Sequence, residues 1–250
     1  MQQRILQLDY LKGVFILLMV IFHLQLINKT YPVLSEAVYT FHMSAFLIIS
    51  GYLANIEKDI KTFGKGILRL LVPYVIFESI YILMIYFLGK IVGASNQIEN
   101  LDVYEFIHMI IFQPFGTYWY IHTLIICTTI YYSIYKGCKL NEFTCLVLTA
   151  MILYGLTNVI DNLRWENVIY FLIGICIQRS RKSFIDVISP SFVVILPLIV
   201  LFSSRGNYYR GSMAGIAITV FVVSFLLFLY NYSPTVHKRL MLYFGKTRCQ

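Results

Sequence analysis

LDYLKGVFILLMVIFHLQLI, Leu8–Ile27, is the stretch that decides the fold. It is twenty residues long and almost wholly apolar, which is the length an α-helix needs to cross the hydrocarbon core of a bilayer. A cleavable leader has a shorter apolar centre followed by small residues. Here the apolar run from Val14 continues to Ile27 with no such site after it, so the segment reads as a retained first helix.

Outward from this run, seven more segments have a similar character: Val33–Asn55, Gly66–Phe87, Tyr118–Tyr135, Glu142–Val159, Asn167–Gln178, Val187–Phe202 and Ser212–Tyr230. Asn167–Gln178 is short alone; it either extends back into residues 161–166 or is partly buried by its neighbours. Val103–Phe112 is half a span and reads as an interfacial or re-entrant piece. Charged residues make up only 13% of the chain, about half the share of a soluble domain. That leaves no polar shell to face water, so the solvent for most of the chain is lipid. The pattern predicts an all-α, polytopic membrane helix bundle of about eight transmembrane helices, forming one domain over residues 1–250.

The net charge of +8 would point to nucleic acid in a soluble protein, but here the basic residues lie in short loops between apolar runs. If the N-terminus is cytoplasmic, fifteen of the twenty lysines and arginines fall on that side: Arg4 and Lys12, then Lys58 to Arg69, Lys136 and Lys139, Arg179 to Lys182, and Lys238 to Arg248. Lys29, Lys90, Arg164, Arg205 and Arg210 fall outside, where the loop after the third run carries Glu99, Asp102 and Glu105. Eight spans with both ends cytoplasmic follow from the positive-inside rule, and nucleic acid is not an expected partner. The five cysteines form no CxxC pair; they read as apolar filler, with neither metal nor disulfide expected.

Ionisable residues inside spans are functional candidates, because lipid penalises them. The first run holds Asp9, Lys12 and His23. The eleven residues from Lys12 to His23, at about 100° each, come within roughly 20° of three full turns. Asp9, three residues before Lys12, lies on the same side. One stripe therefore carries an acid, a base and an imidazole from the cytoplasmic edge into the outer half. Lys12 and Asp9 also fit a snorkelling pair at a helix end, and His23 a packing histidine. His42 opens the apolar part of the second run in FHMSAFLIISGY, Phe41–Tyr52, and the short connection makes the first two helices antiparallel neighbours, with both histidines at similar depth. Ser50 and Gly51 read as a small pair for close packing. Glu78 is a further intramembrane charge. Lys65 and Arg69, at the cytoplasmic entrance of the third run, suit either lipid headgroups or an anionic cofactor.

These motifs resemble the integral-membrane acyltransferase 3 family. Lys12 and His23 match its first-helix signature of a basic residue, ten others and a histidine. FHMSAFLIISGY is similar to its second-helix motif, with Ser44 where a proline is usual. KGILRLLVPY, Lys65–Tyr74, resembles its basic, proline-containing third helix. TYWYIHTL, Thr117–Leu124, resembles its Leu-Trp-Phe-Leu segment, with His122 where an apolar residue is commoner. The likeness covers about residues 4 to 245 and is nearest the fucose 4-O-acetylase-like branch. Members usually have about ten helices, and LYFGKTRCQ resembles the start of a Gly-Lys-Asn-Ser motif that leads into more, so the chain is expected to lack the last one or two.

The resemblance implies an O-acyltransferase of the bacterial inner membrane that moves acetyl from acetyl-CoA to a sugar hydroxyl of a surface polysaccharide or its precursor. It implies His23 or His42 as base or acyl carrier, with Asp9 and Lys12 on the same stripe, and Lys12, Lys65 and Arg69 for coenzyme A. Expected partners are acetyl-CoA, a saccharide acceptor and membrane lipids. A transporter or flippase with charges on a watery path, or an inactive family member, fits the same residues.

Overall fold

The computed structural model describes residues 5–92, 98, 100–116, 118–138 and 140–245; Arg4, Glu99, Thr117, Lys139, Lys246, Arg248 and Cys249 lie outside them. Twelve α-helices follow one another among the described residues, with no strand: α1 (Leu6–His23), α2 (Gln25–Thr30), α3 (Pro32–Tyr52), α4 (Ile60–Val92), α5 (Val103–Phe112), α6 (Trp119–Gly137), α7 (Glu142–Leu156), α8 (Trp165–Arg179), α9 (Phe184–Val187), α10 (Ile195–Phe202), α11 (Met213–Tyr232) and α12 (Thr235–Gly245). Four are long and apolar enough to cross a membrane: α1, α3, α4 over Ile60–Gly89, and α11. The chain is a helical bundle of membrane type.

By internal contacts it forms two compact units, residues 1–54 with 169–250, and residues 55–168. In the first unit α3 is the centre, with two thirds of its span buried. It packs against α1 and α11, and α1 packs in turn against α12. Glycines set the α1–α12 crossing and a further one between α3 and α8. A Cβ on Gly51 of α3 would overlap the Phe171 carbonyl oxygen, and one on Gly174 of α8 would overlap that of Ile48. The small pair expected at Ser50–Gly51 is thus half of a backbone-to-backbone seam. A Cβ on Gly13 of α1 would likewise overlap the Met241 carbonyl oxygen of α12, and one on Gly245 that of Asp9.

Three boundaries depart from the sequence reading. The first run does not continue to Ile27: α1 stops at His23, Leu24 is extended, and the polar Gln25–Thr30 make a separate exposed turn of helix. The run Val187–Phe202 is not one helix, since only Ile195–Phe202 is helical beyond Val187. Pro190 lacks a backbone donor and restricts the residue before it, so the helix cannot pass through. The non-helical backbone there is satisfied from α11, where the Ser224 hydroxyl donates to the Ser189 carbonyl and the Ser224 carbonyl accepts from Ser191 N–H. Finally, the basic tail contains α12, whose Met241 is buried while Lys238 lies over the Tyr230 ring at 5.0 Å.

In the second unit α4 runs 33 residues, about 50 Å, longer than the hydrocarbon core of about 30 Å. Leu68, Val72, Ile76, Ile80 and Met84 form an exposed apolar stripe at helical spacing, suited to lipid. The half-span Val103–Phe112 is the short helix α5, packed back on α4. Its C-terminal carbonyls need partners in lipid. Tyr74 donates its hydroxyl proton to the Ile110 carbonyl at 2.6 Å, and His122 donates from Nε2 to that of Ile111 at 2.8 Å. The Glu78 carboxylate accepts from Phe115 N–H, and Asn162 donates to the Pro114 carbonyl. Gly116 completes the bend at φ +59°, where glycine costs least.

Candidate active site

His23 is the last residue of α1, and its Nδ1 lies 2.7 Å from the carbonyl oxygen of Met19 one turn earlier. His42 repeats the arrangement on α3, with Nδ1 2.8 Å from the Val38 carbonyl. A carbonyl only accepts, so in both rings Nδ1 carries the proton and Nε2 the lone pair when the ring is neutral. The two imidazoles are 6.3 Å apart between centroids. His42 is fully buried, and its Nε2 has no hydrogen-bond partner; His23 is exposed. The antiparallel pairing expected from the short connection thus brings both histidines together at one depth.

Tyr39 joins them. Its ring is 5.6 Å from His23 and 5.3 Å from His42, and its hydroxyl donates to the Phe22 carbonyl at 2.6 Å. The bond fixes the last turn of α1, and with it His23, against α3. The sequence reading missed Tyr39, although the signal was there: three residues before His42 is the same helix face. It also read Arg210 only as an outer basic residue. Arg210 lies within electrostatic reach of His42, and its carbonyl accepts from the Tyr170 hydroxyl at 2.7 Å. No sequence spacing links residues 42 and 210. Ser44, in the usual place of a proline, donates to the Thr40 carbonyl at 3.0 Å and stays within its own helix.

Asp9 and Lys12 form an ion pair at 2.7 Å, both largely withdrawn from solvent. They lie about three turns below His23 on the continuous α1. Lys12 is thus engaged by its own helix neighbour. Lys65 and Arg69 are one turn apart on the exposed face of α4, in the other unit.

The chemistry of the pair follows from its bonding. An imidazole held by Nδ1–H presents Nε2 as a base or nucleophile without spending its orientation on other partners. Two such rings beside one phenol have the chemistry to take up a proton or an acyl group at Nε2.

A family model described as an acyltransferase domain matches residues 5–247. No curated protein and no solved structure matches the chain. Spanning every described residue, including the paired histidines, that match establishes that this chain belongs to the acyltransferase 3 family of membrane acyltransferases.

Proposed function

We propose that the chain transfers an acetyl group from acetyl-CoA to a saccharide hydroxyl, in a surface polysaccharide or its precursor, as in the fucose 4-O-acetylase-like branch. The observation that carries this reading is the His23–Tyr39–His42 cluster, with both imidazoles pinned through Nδ1. A sugar hydroxyl is a poor nucleophile until a base takes its proton. In the direct route, His23 Nε2 takes that proton while the oxygen attacks the thioester carbonyl. The carbon–sulfur bond breaks, and the coenzyme A thiolate leaves with a proton returned from the imidazolium. In the covalent route, Nε2 attacks the thioester carbonyl first and coenzyme A leaves as thiolate, giving an acyl-imidazolium that keeps its Nδ1–H. The saccharide oxygen then takes the acyl group, the acyl–nitrogen bond breaks, and the hydroxyl proton passes to the freed Nε2 and from there to the thiolate. His23, being exposed, is the ring assigned to either task; His42 is the buried second imidazole that sets its surroundings.

Lys65 and Arg69 are assigned to the phosphates of coenzyme A, which cationic side chains hold by charge-assisted hydrogen bonds. Lys12, tied to Asp9, is assigned to the stripe between the donor side and His23. The setting is the bacterial inner membrane, with eight spans, both termini cytoplasmic, donor inside and acceptor toward the outer face.

The test uses membranes containing the full chain and acetyl-CoA labelled in the acetyl group. Wild type should transfer or hydrolyse label, and His23→Ala should lower the rate by about 10²–10⁴-fold, the range of a lost general base, at equal protein level. Wild-type membranes that leave acetyl-CoA untouched, or a His23→Ala variant at full rate, would remove this reading.

A further inference from the structure

The clamp around α5 pins the backbone at Ile110, Ile111, Pro114 and Phe115, and in doing so it leaves two of its own atoms over. Glu78 is fully buried, and while one carboxylate oxygen accepts from Phe115 N–H, Oε2 has no partner. His122 is 6% exposed; its Nε2 bonds to the Ile111 carbonyl, and its Nδ1 has no partner. Tyr74 ties the two together: its ring is 5.6 Å from that of His122, and it stands one turn before Glu78 on α4. Its phenol and that of Tyr118 both lie within electrostatic reach of Glu78.

Both leftover atoms are unspent polar atoms able to accept. Because Nε2–H is committed to a carbonyl, Nδ1 of neutral His122 holds a lone pair, and Oε2 is the Glu78 oxygen that Phe115 N–H does not reach, an acceptor when the carboxyl is ionised. A purely structural clamp needs neither atom. Backbone pinning is complete without them, and buried acceptors left bare are costly enough that native proteins seldom keep them. Their complement is a ligand that brings hydrogen-bond donors. Phenol rings at the same place suit a body that is apolar on its faces and polar at its rim. We propose that Glu78 and His122 form a second, hydroxyl-recognising subsite, which takes the ring of a saccharide by accepting hydrogen bonds from its hydroxyls. Only the identity of that saccharide as the acyl acceptor rests on the function proposed above.

The chain offers its own probe. Its two tryptophans are Trp119 and Trp165, and Trp119 precedes His122 by one turn on α6. In nanodiscs, the full chain carrying Trp165→Phe is titrated with methyl α-D-glucopyranoside and methyl α-L-fucopyranoside while Trp119 emission is followed. A saturable change is expected with at least one glycoside. Tetrahydropyran, which has the ring without hydroxyls, should give none. Glu78→Gln keeps an acceptor for Phe115 N–H but turns the second oxygen into a donor, and should weaken the response roughly tenfold, the loss of one hydrogen bond to a charged group. His122→Gln keeps a donor for Ile111, displaces the second acceptor, and should weaken it independently. A flat titration, an equal response to tetrahydropyran, or wild-type affinity in both variants overturns the subsite. The readout needs no acyl transfer. A saturable titration in a chain that leaves acetyl-CoA untouched would count against the proposed function alone, and a flat titration in a chain that transfers acetyl would count against the subsite alone.

Discussion

Tyr39 makes one hydrogen bond, to the carbonyl of Phe22, and that bond stands between an ordered His23 and a frayed helix end. Tyr39→Phe keeps the ring between the imidazoles and removes only the bond, which is worth about 0.5–1.5 kcal/mol, so kcat/KM for acetyl transfer should fall up to roughly tenfold. The fall should appear in kcat, because orientation rather than binding is lost. Unchanged kinetics would reduce the hydroxyl to packing. Lys65 and Arg69 should behave in the opposite sense. The double variant Lys65→Ala, Arg69→Ala should raise the apparent KM for acetyl-CoA by roughly tenfold or more at nearly constant kcat, the mark of lost uniform binding. A donor titration on membranes normalised for protein decides it. If the two residues only anchor α4 to anionic headgroups, abundance falls and the apparent KM stays put. At this scale the sequence was informative where helical spacing did the work, as for His23, His42 and the Asp9–Lys12 pair. It was silent where chain-distant residues come within electrostatic reach, as Arg210 and His42 do.

α3 and α8 cross through Gly51 and Gly174, where even one methyl group would overlap a backbone oxygen. Gly174→Leu should therefore force the helices apart and cost about 1–3 kcal/mol, as overpacking does. Gly155 on α7 is the control: a Cβ there meets nothing within 4 Å, so Gly155→Ala should hold or raise stability, by up to about 1 kcal/mol of helix propensity. Thermal unfolding in one detergent compares the two, and a Gly174→Leu protein as stable as wild type would show that the seam is slack. Helices that begin with a side-chain cap were legible to within a few residues, as with α7 behind Asn141 and α11 behind Ser212. α12 was not, because the basic run His237–Arg239 comes before only a short apolar run, Leu240–Phe244, so a tail reading and an amphipathic helix reading look alike in composition. The broken run before α10 was hidden for a related reason: hydropathy counts Pro190 as tolerable, while the backbone does not.

For the molecule as a whole, orientation in the membrane is the property on which donor and acceptor sides depend. With native cysteines replaced, single cysteines at Ser204 should react with an impermeant maleimide in intact cells, and those at Lys61 and Arg181 only after the membrane is opened. Outside labelling of position 61 would invert the topology and move the donor side with it. Helical membrane character was legible from hydropathy alone, since no other fold buries so little charge in so many long apolar runs. The division into two units was not, because no linker of distinct composition marks residue 54 or 168. The glycine seams also have a bearing on biosynthesis. His23 and His42 leave the ribosome within twenty residues of each other, but the helices that lock α3 and α1 in place arrive only with Gly174 and Gly245. At about 5–20 residues per second, the interval between the second histidine and the last glycine is roughly 10–40 s. Through that time the nascent pair sits in the bilayer without its supports, so a membrane insertase or chaperone that shelters polar helices has its window on this protein there.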